Sequence, residues 1–244
     1  MRRGSSVVHV VRGGQGPLLV LLHGLGANAS VRHSAATAWP GSWMAVDLPG
    51  HGRSPAVERY SFGSLAASVA TVAGPGPVAV LGHSLGGVVA LTLASGWFGL
   101  DVRAVGGLGI KLRWTAEELA KAEAMAARPP RLFSKRDDAS AWAARLAGVA
   151  LDDGAVVKAD GGWQAALDPR AFAVGAPDVA GLLAVAKAPV VLAAGEQDLM
   201  CPQEHLRAVQ PEAMVLPGVG HNAHVERPSS IEPVLDRLHR ALLQ

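Results

Sequence analysis

The feature that most constrains this chain is a repeated alternation of short apolar runs with stretches of helical composition. Apolar runs occupy residues 7–11, 18–22, 43–46, 78–81, 102–108, 190–194 and 214–216. Most are closed by glycine, proline or aspartate, which punctuate strands because they favour turns. Helix-type stretches fall between them at 61–73, 85–95, 204–209 and 231–243. Alternation of this kind predicts an α/β fold, a mostly parallel sheet with helices on both faces. Residues 7–11 and 18–22, separated by Gly13-Gly14-Gln15-Gly16-Pro17, read as a hairpin or as two adjacent strands.

One segment breaks the pattern. Residues 111–187 are rich in alanine and charge, contain Pro129-Pro130, and hold few β-type runs. A mainly helical insertion is predicted there, at 112–187, with residues 1–111 and 188–244 forming the core. At 244 residues, half hydrophobic and 17% charged, the chain can bury such a core. A net charge of +2 with no Lys/Arg block gives no footprint for nucleic acid. Cys201 is the only cysteine, so no internal disulfide is possible. The most apolar stretch, 85–100, carries Gly86, Gly87, Thr92, Ser95, Gly96 and Gly99 and reads as a buried helix, not a membrane span. The basic start at residues 1–6 has no long apolar run behind it, so a cytoplasmic protein is expected.

The chemistry-bearing motifs sit where apolar runs end. Gly82-His83-Ser84-Leu85-Gly86-Gly87 follows the run 78–81 and opens a helix-type stretch. In this Gly-x-Ser-x-Gly pattern the serine occupies a strained turn, so residues two positions away must lack side chains. The helix that follows presents its N-terminus, which favours developing negative charge. His23-Gly24-Leu25-Gly26 ends the run 18–22 and can supply a backbone N–H. Gly195-Glu196-Gln197-Asp198 follows the run 190–194, and Gly218-Val219-Gly220-His221 follows the run 214–216. Both would then lie at the carboxyl edge of the sheet, where sites in open α/β sheets collect. Among nine histidines His224 is the main rival to His221 as a base, and His51 reads as part of a structural Pro-Gly-His-Gly turn. Among acids, Asp47 reads as an anchor of that turn, and Asp178 and Glu226 as structural partners.

Taken together, His23-Gly24-Leu25-Gly26, Asp47-Leu48-Pro49-Gly50-His51-Gly52-Arg53-Ser54, the Ser84 motif, Gly195-Glu196-Gln197-Asp198 and Gly220-His221 followed by Glu226-Arg227-Pro228 resemble the α/β-hydrolase superfamily. The resemblance implies an eight-stranded sheet with a helical cap inserted after the sixth strand. It also implies an acyl-enzyme mechanism: Ser84 as nucleophile, His221 as general base and Asp198 as the orienting acid, with the backbone N–H groups of Leu25 and Leu85 as an oxyanion hole. Gly24, His83, Trp114, Trp163, Phe172 and Leu199 are expected to line the substrate pocket. The aromatic residues of the insertion admit two readings, packing onto the core or an apolar pocket beneath the cap. The partners implied are a small acyl substrate and water, with no cofactor, no metal, no nucleic acid and no membrane span. A carboxylic ester, largely apolar, is the leading substrate class. Carbon–carbon, thioester, amide or lactone cleavage on the same triad, or a small-molecule receptor that kept the fold, are the alternatives.

Overall fold

The computed structural model describes residues 7–244; the basic start read at 1–6 lies outside them. The chain runs β1 (Val10–Gly13), β2 (Leu18–Leu22), α1 (His33–Ala38), β3 (Ser42–Val46), α2 (Phe62–Ala73), β4 (Pro77–His83), α3 (Leu85–Ala94) and β5 (Asp101–Leu108). Then come α4 (Ala116–Ala126), α5 (Arg136–Ala147), a hairpin of β6 (Val156–Ala159) and β7 (Gly162–Ala165), and α6 (Val179–Val185). The chain closes with β8 (Val190–Gly195), α7 (Gln203–Val209), β9 (Met214–Leu216), α8 (Ala223–Glu226) and α9 (Glu232–Leu242).

Seven strands form one sheet in the order β1-β3-β2-β4-β5-β8-β9, parallel except for the β1 edge. The eight strands expected from family resemblance are thus seven among the described residues. β1 starts at Val10; just before it the His9 backbone N–H donates to Ser54 Oγ at 2.8 Å, its carbonyl accepts Asp47 N–H at 3.0 Å, and its ring meets Asp47 Oδ2 at 3.0 Å. β1 and β2 are not neighbours either: β3 lies between them, with Val10 opposite Val46 and Leu22 beside Val46. A glycine-rich link of four residues, 14–17, carries the chain across β3 instead of folding it into a hairpin. With one strand fewer, the insertion follows the fifth strand. The insertion is mainly helical, with α4, α5 and α6, and adds one short antiparallel pair, β6 and β7.

Period-2 alternation explains why the central strands are apolar throughout. Val20, Leu22, Val78 and Val80 face a layer that includes α2, α3 and α6, while Leu19, Leu21, Ala79 and Leu81 face α1 and α9. The helices carry matching signals. Ser61 caps α2, its Oγ accepting from Ser64 N–H at 3.0 Å while Ser64 Oγ accepts from Ser61 N–H at 3.0 Å. In α9, Val234, Leu235, Leu238 and Leu242 form one apolar stripe, all buried. Leu238 reaches the bare backbone of Gly106 in β5, where an added Cβ would sit 3.1 Å from its Cδ1. No helix among the described residues is long and apolar enough to cross a membrane.

Because Leu238 is fully buried on this face, Leu238→Ala should leave a void the rigid strands cannot close. We expect a loss of about 2–5 kcal/mol in urea unfolding, with the m-value unchanged. A loss under about 0.5 kcal/mol would contradict the packing described.

Candidate active site

The carboxyl ends of β2, β4, β8 and β9 converge on one rim. β4 runs into α3 through Ser84, the only non-glycine residue with positive φ among the described residues, at φ 50°. The turn can be this tight because its neighbours lack side chains. A Cβ on Gly82 would lie 2.0 Å from Gly86 O, and one on Gly86 would lie 2.5 Å from Leu22 O. Ser84 N–H donates to Leu108 O at 2.8 Å, which ties the turn to β5.

Asp198 stands in the turn after β8 and is almost fully buried. Its Oδ1 accepts the N–H groups of Met200 at 2.8 Å and Cys201 at 3.1 Å. His221 Nδ1 lies 2.9 Å from Oδ2 and 3.1 Å from Oδ1, so the Nδ1–H tautomer donates to the carboxylate. Glu226 staples the loop on either side of that histidine, its Oε2 accepting Gly220 N–H at 2.5 Å and its Oε1 accepting Asn222 N–H at 3.0 Å. Arg227 fixes the same loop through Pro217 O at 3.0 Å. His224, the rival base, is buried away from any carboxylate, and its Nδ1 has no partner among the described residues.

Ser84 and His221 line one cavity of about 480 Å³. Among the described residues no hydrogen bond joins the Ser84 hydroxyl to His221 Nε2; the two side chains meet as neighbours on the wall of that cavity. Leu25 and Leu85 line the same cavity, and neither backbone N–H has a partner among the described residues. Gly24, His83, Trp114 and Phe172 are also on its walls. Phe172 is set there by Asp168, which caps the 3-10 turn Pro169–Val174. Asp168 is itself tied to the Pro-Gly-His-Gly turn through Gly50 O and to Tyr60 through its Oδ2.

Two expected wall residues lie elsewhere. Leu199 is 92% exposed, because the Asp198 carboxylate gathers the N–H groups of residues 200 and 201 into a turn that throws residue 199 outward. Met200 takes its place on the wall. Trp163 is held in β7, its backbone paired with Phe133 and the Arg136 guanidinium over its ring at 5.7 Å. The sequence reading also missed Lys111, Arg145, Leu146 and Asn222 on the wall. Lys111, placed directly after Gly109-Ile110, pairs with Glu118 at 2.5 Å.

Asp47 anchors its loop as the sequence suggested. Its Oδ1 accepts Ala29 N–H at 2.6 Å and its Oδ2 accepts Arg53 N–H at 2.9 Å. Behind it, His23 Nε2 accepts Leu48 N–H at 2.9 Å, so Nδ1 carries the proton and donates to Gly24 O at 2.8 Å. That pattern needs a neutral ring, and burial lowers the His23 pKa to about 4. Burial likewise lowers His224 to about 4 and, with the nearby His23, lowers His51 to about 3. Burial raises the Cys201 thiol to about 12, which makes it inert packing beside Asp198. Among the described residues no group of three His, Cys, Asp or Glu side chains is placed to hold a metal ion.

A parallel sheet with a serine in a strand-to-helix turn, and an Asp–His pair at the same rim, defines an α/β-hydrolase. The chain belongs to the alpha/beta hydrolase family, which it matches over residues 19–231. It is 47% identical over 91 residues to the pimeloyl-[acyl-carrier protein] methyl ester esterase of Aeromonas hydrophila subsp. hydrophila, covering 36% of this chain and 35% of that one. It is 39% identical over 94 residues to lipase LipV of Mycobacterium tuberculosis, covering 36% of each. The matched stretches span only about a third of those curated relatives. Among solved structures, E-2-(acetamidomethylene)succinate hydrolase superposes with a TM-score of 0.78 at 22% identity, over 96% of this chain and 95% of that one. At that identity the likeness is one of fold.

Four buried neutral histidines, His23, His51, His83 and His224, predict acid lability. Below pH 6.5 the unfolded chain takes up protons at all four. The folded chain refuses them until about pH 4 at residues 23 and 224, about pH 3 at residue 51, and well below the ordinary value at residue 83. Stability should therefore be full above pH 6.5 and fall as pH drops to about 4, by about 1.4 kcal/mol per pH unit for each histidine. Urea titrations at stepped pH test this; constant stability from pH 7 to 4.5 would contradict it.

Proposed function

We propose that the protein is a serine hydrolase that cleaves small or medium, largely apolar carboxylic esters through an acyl-enzyme. The observation that carries this reading is the 2.9 Å contact of His221 Nδ1 with the buried Asp198 carboxylate, at the wall of the cavity that Ser84 also lines. Ser84 Oγ attacks the acyl carbon, and His221 Nε2 takes its proton. Asp198 holds the tautomer and stabilises the imidazolium. The N–H groups of Leu85, at the start of α3, and of Leu25 receive the oxyanion, each worth roughly 3 kcal/mol. His221 then protonates the leaving alcohol, and water enters with His221 again as base.

The cavity wall argues for the substrate class. Leu25, Phe62, Val88, Leu146, Phe172, Val174 and Met200 make it mainly apolar. Of the two cationic side chains on this wall, Lys111 pairs with Glu118 and the Arg145 guanidinium lies over the Trp142 ring at 5.9 Å. Residues 112–187 act as a cap over this site, the core being 1–111 and 188–244. Trp114, Leu146 and Phe172 of that segment supply one side of the wall. The esterase and lipase names of the partial relatives fit the same class.

Initial rates on p-nitrophenyl esters of two- to eight-carbon acids test the reading. Ser84→Ala should reduce kcat by about a millionfold and Asp198→Asn by about ten thousandfold, with unfolding curves close to wild type. Ester hydrolysis undiminished by Ser84→Ala would overturn it, as would failure to turn over any ester while a thioester or lactone is cleaved.

A further inference from the structure

We infer that His83, the residue before Ser84, is a positioning residue that fastens the backbone of His221 to the strand-to-helix turn; this rests on the roles of Ser84 and His221 proposed above. His83 ends β4 and is buried. Its Nε2 lies 2.9 Å from the His221 carbonyl oxygen. A carbonyl only accepts, so Nε2 carries the hydrogen and donates. The two N–H groups flanking His221, those of Gly220 and Asn222, are both taken by Glu226. The carbonyl of residue 221 itself is held by His83.

The other side of the ring faces the loop after β2. A Cβ on Gly24 would lie 2.8 Å from His83 Nδ1, so only glycine lets that loop approach. The ring also packs on His221, with centroids 4.7 Å apart, and on His224 at 4.6 Å. One imidazole thus touches the Gly24 loop, the serine turn and the loop of His221. The charged or titratable groups facing it are His23, His221 and His224; burial, and then those neighbours, hold its pKa well below the ordinary value. A neutral ring matters here. When His221 becomes an imidazolium during turnover, a second cation beside it would oppose that charge, whereas a neutral donor anchors the loop at no such cost.

Misplacement of a base by about 1 Å lowers turnover by up to about a hundredfold without touching the chemistry directly. The test is kcat and KM on p-nitrophenyl butyrate for the full chain carrying His83→Leu, His83→Asn or His83→Gln. Glutamine can place an amide N–H where Nε2 stands; asparagine is too short, and leucine has no donor. We expect His83→Leu and His83→Asn to lose about 10- to 100-fold in kcat with KM within about twofold, and His83→Gln to stay within about threefold of wild type. Wild-type kcat in the leucine and asparagine variants, a loss confined to KM, or an equal loss in the glutamine variant would overturn the inference. If His83→Leu does not fold, the Asn and Gln pair decides. Activity that needs Ser84 but ignores His83 sinks this inference alone; activity that ignores Ser84 sinks the reading beneath it.

Discussion

The arrangement at this rim depends on one backbone turn, the positive-φ conformation of Ser84. A non-glycine residue at φ 50° is held against a conformational penalty of about 1–3 kcal/mol. Such strain persists only where surrounding structure over-determines it. Here the determinants are bare backbone at Gly82 and Gly86, close packing of residue 86 on the end of β2, and the Ser84 N–H bond to Leu108 O. Relaxing the turn would require β4 to slip against both β2 and β5. The sheet ladder therefore holds the serine at its position, and α3 inherits its start, with a free N–H at Leu85, from the same turn.

A second layer of control is electrostatic. Asp198 is removed from water, and its charge is met by two backbone N–H groups and one imidazole. Around it the buried imidazoles of His23, His83 and His224 are kept neutral by burial, so none of these rings carries a charge that competes with His221. The loop of His221 is held by Glu226 and Arg227 from its own downstream helix. Those two residues belong to the motif Glu226-Arg227-Pro228, whose acidic member sits six positions after Gly220. Its spacing carried the signal, but a staple that closes back on its own loop is invisible until the α8 turn brings the carboxylate round.

What the sequence made legible was local. Apolar runs with punctuating glycine and proline mark β4, β5, β8 and β9 to within a residue or two, because alternate residues of a doubly covered strand must both be apolar. The placement of Ser84, Asp198 and His221 at strand ends followed from that. Neighbour order was not legible: β1 pairs with β3 and not with β2, its neighbour in sequence, a long-range pairing that no local pattern encodes. The wall of the cavity was half legible. Trp114 and Phe172 were readable as large apolar residues of the insertion, but Leu199 and Met200 exchange places through a single Asx-type turn. Trp163 was lost to a hairpin whose residues read as helix-prone alanine and charge.

The most direct measurement is covalent. An alkyl fluorophosphonate should add to the intact protein at one equivalent, and peptide mass spectrometry should place the adduct on Ser84, with labelling strongly slowed in His221→Ala. That result would show a serine made nucleophilic by the neighbouring imidazole. An adduct on any other residue, or labelling of Ser84 at the same rate without His221, would contradict the account.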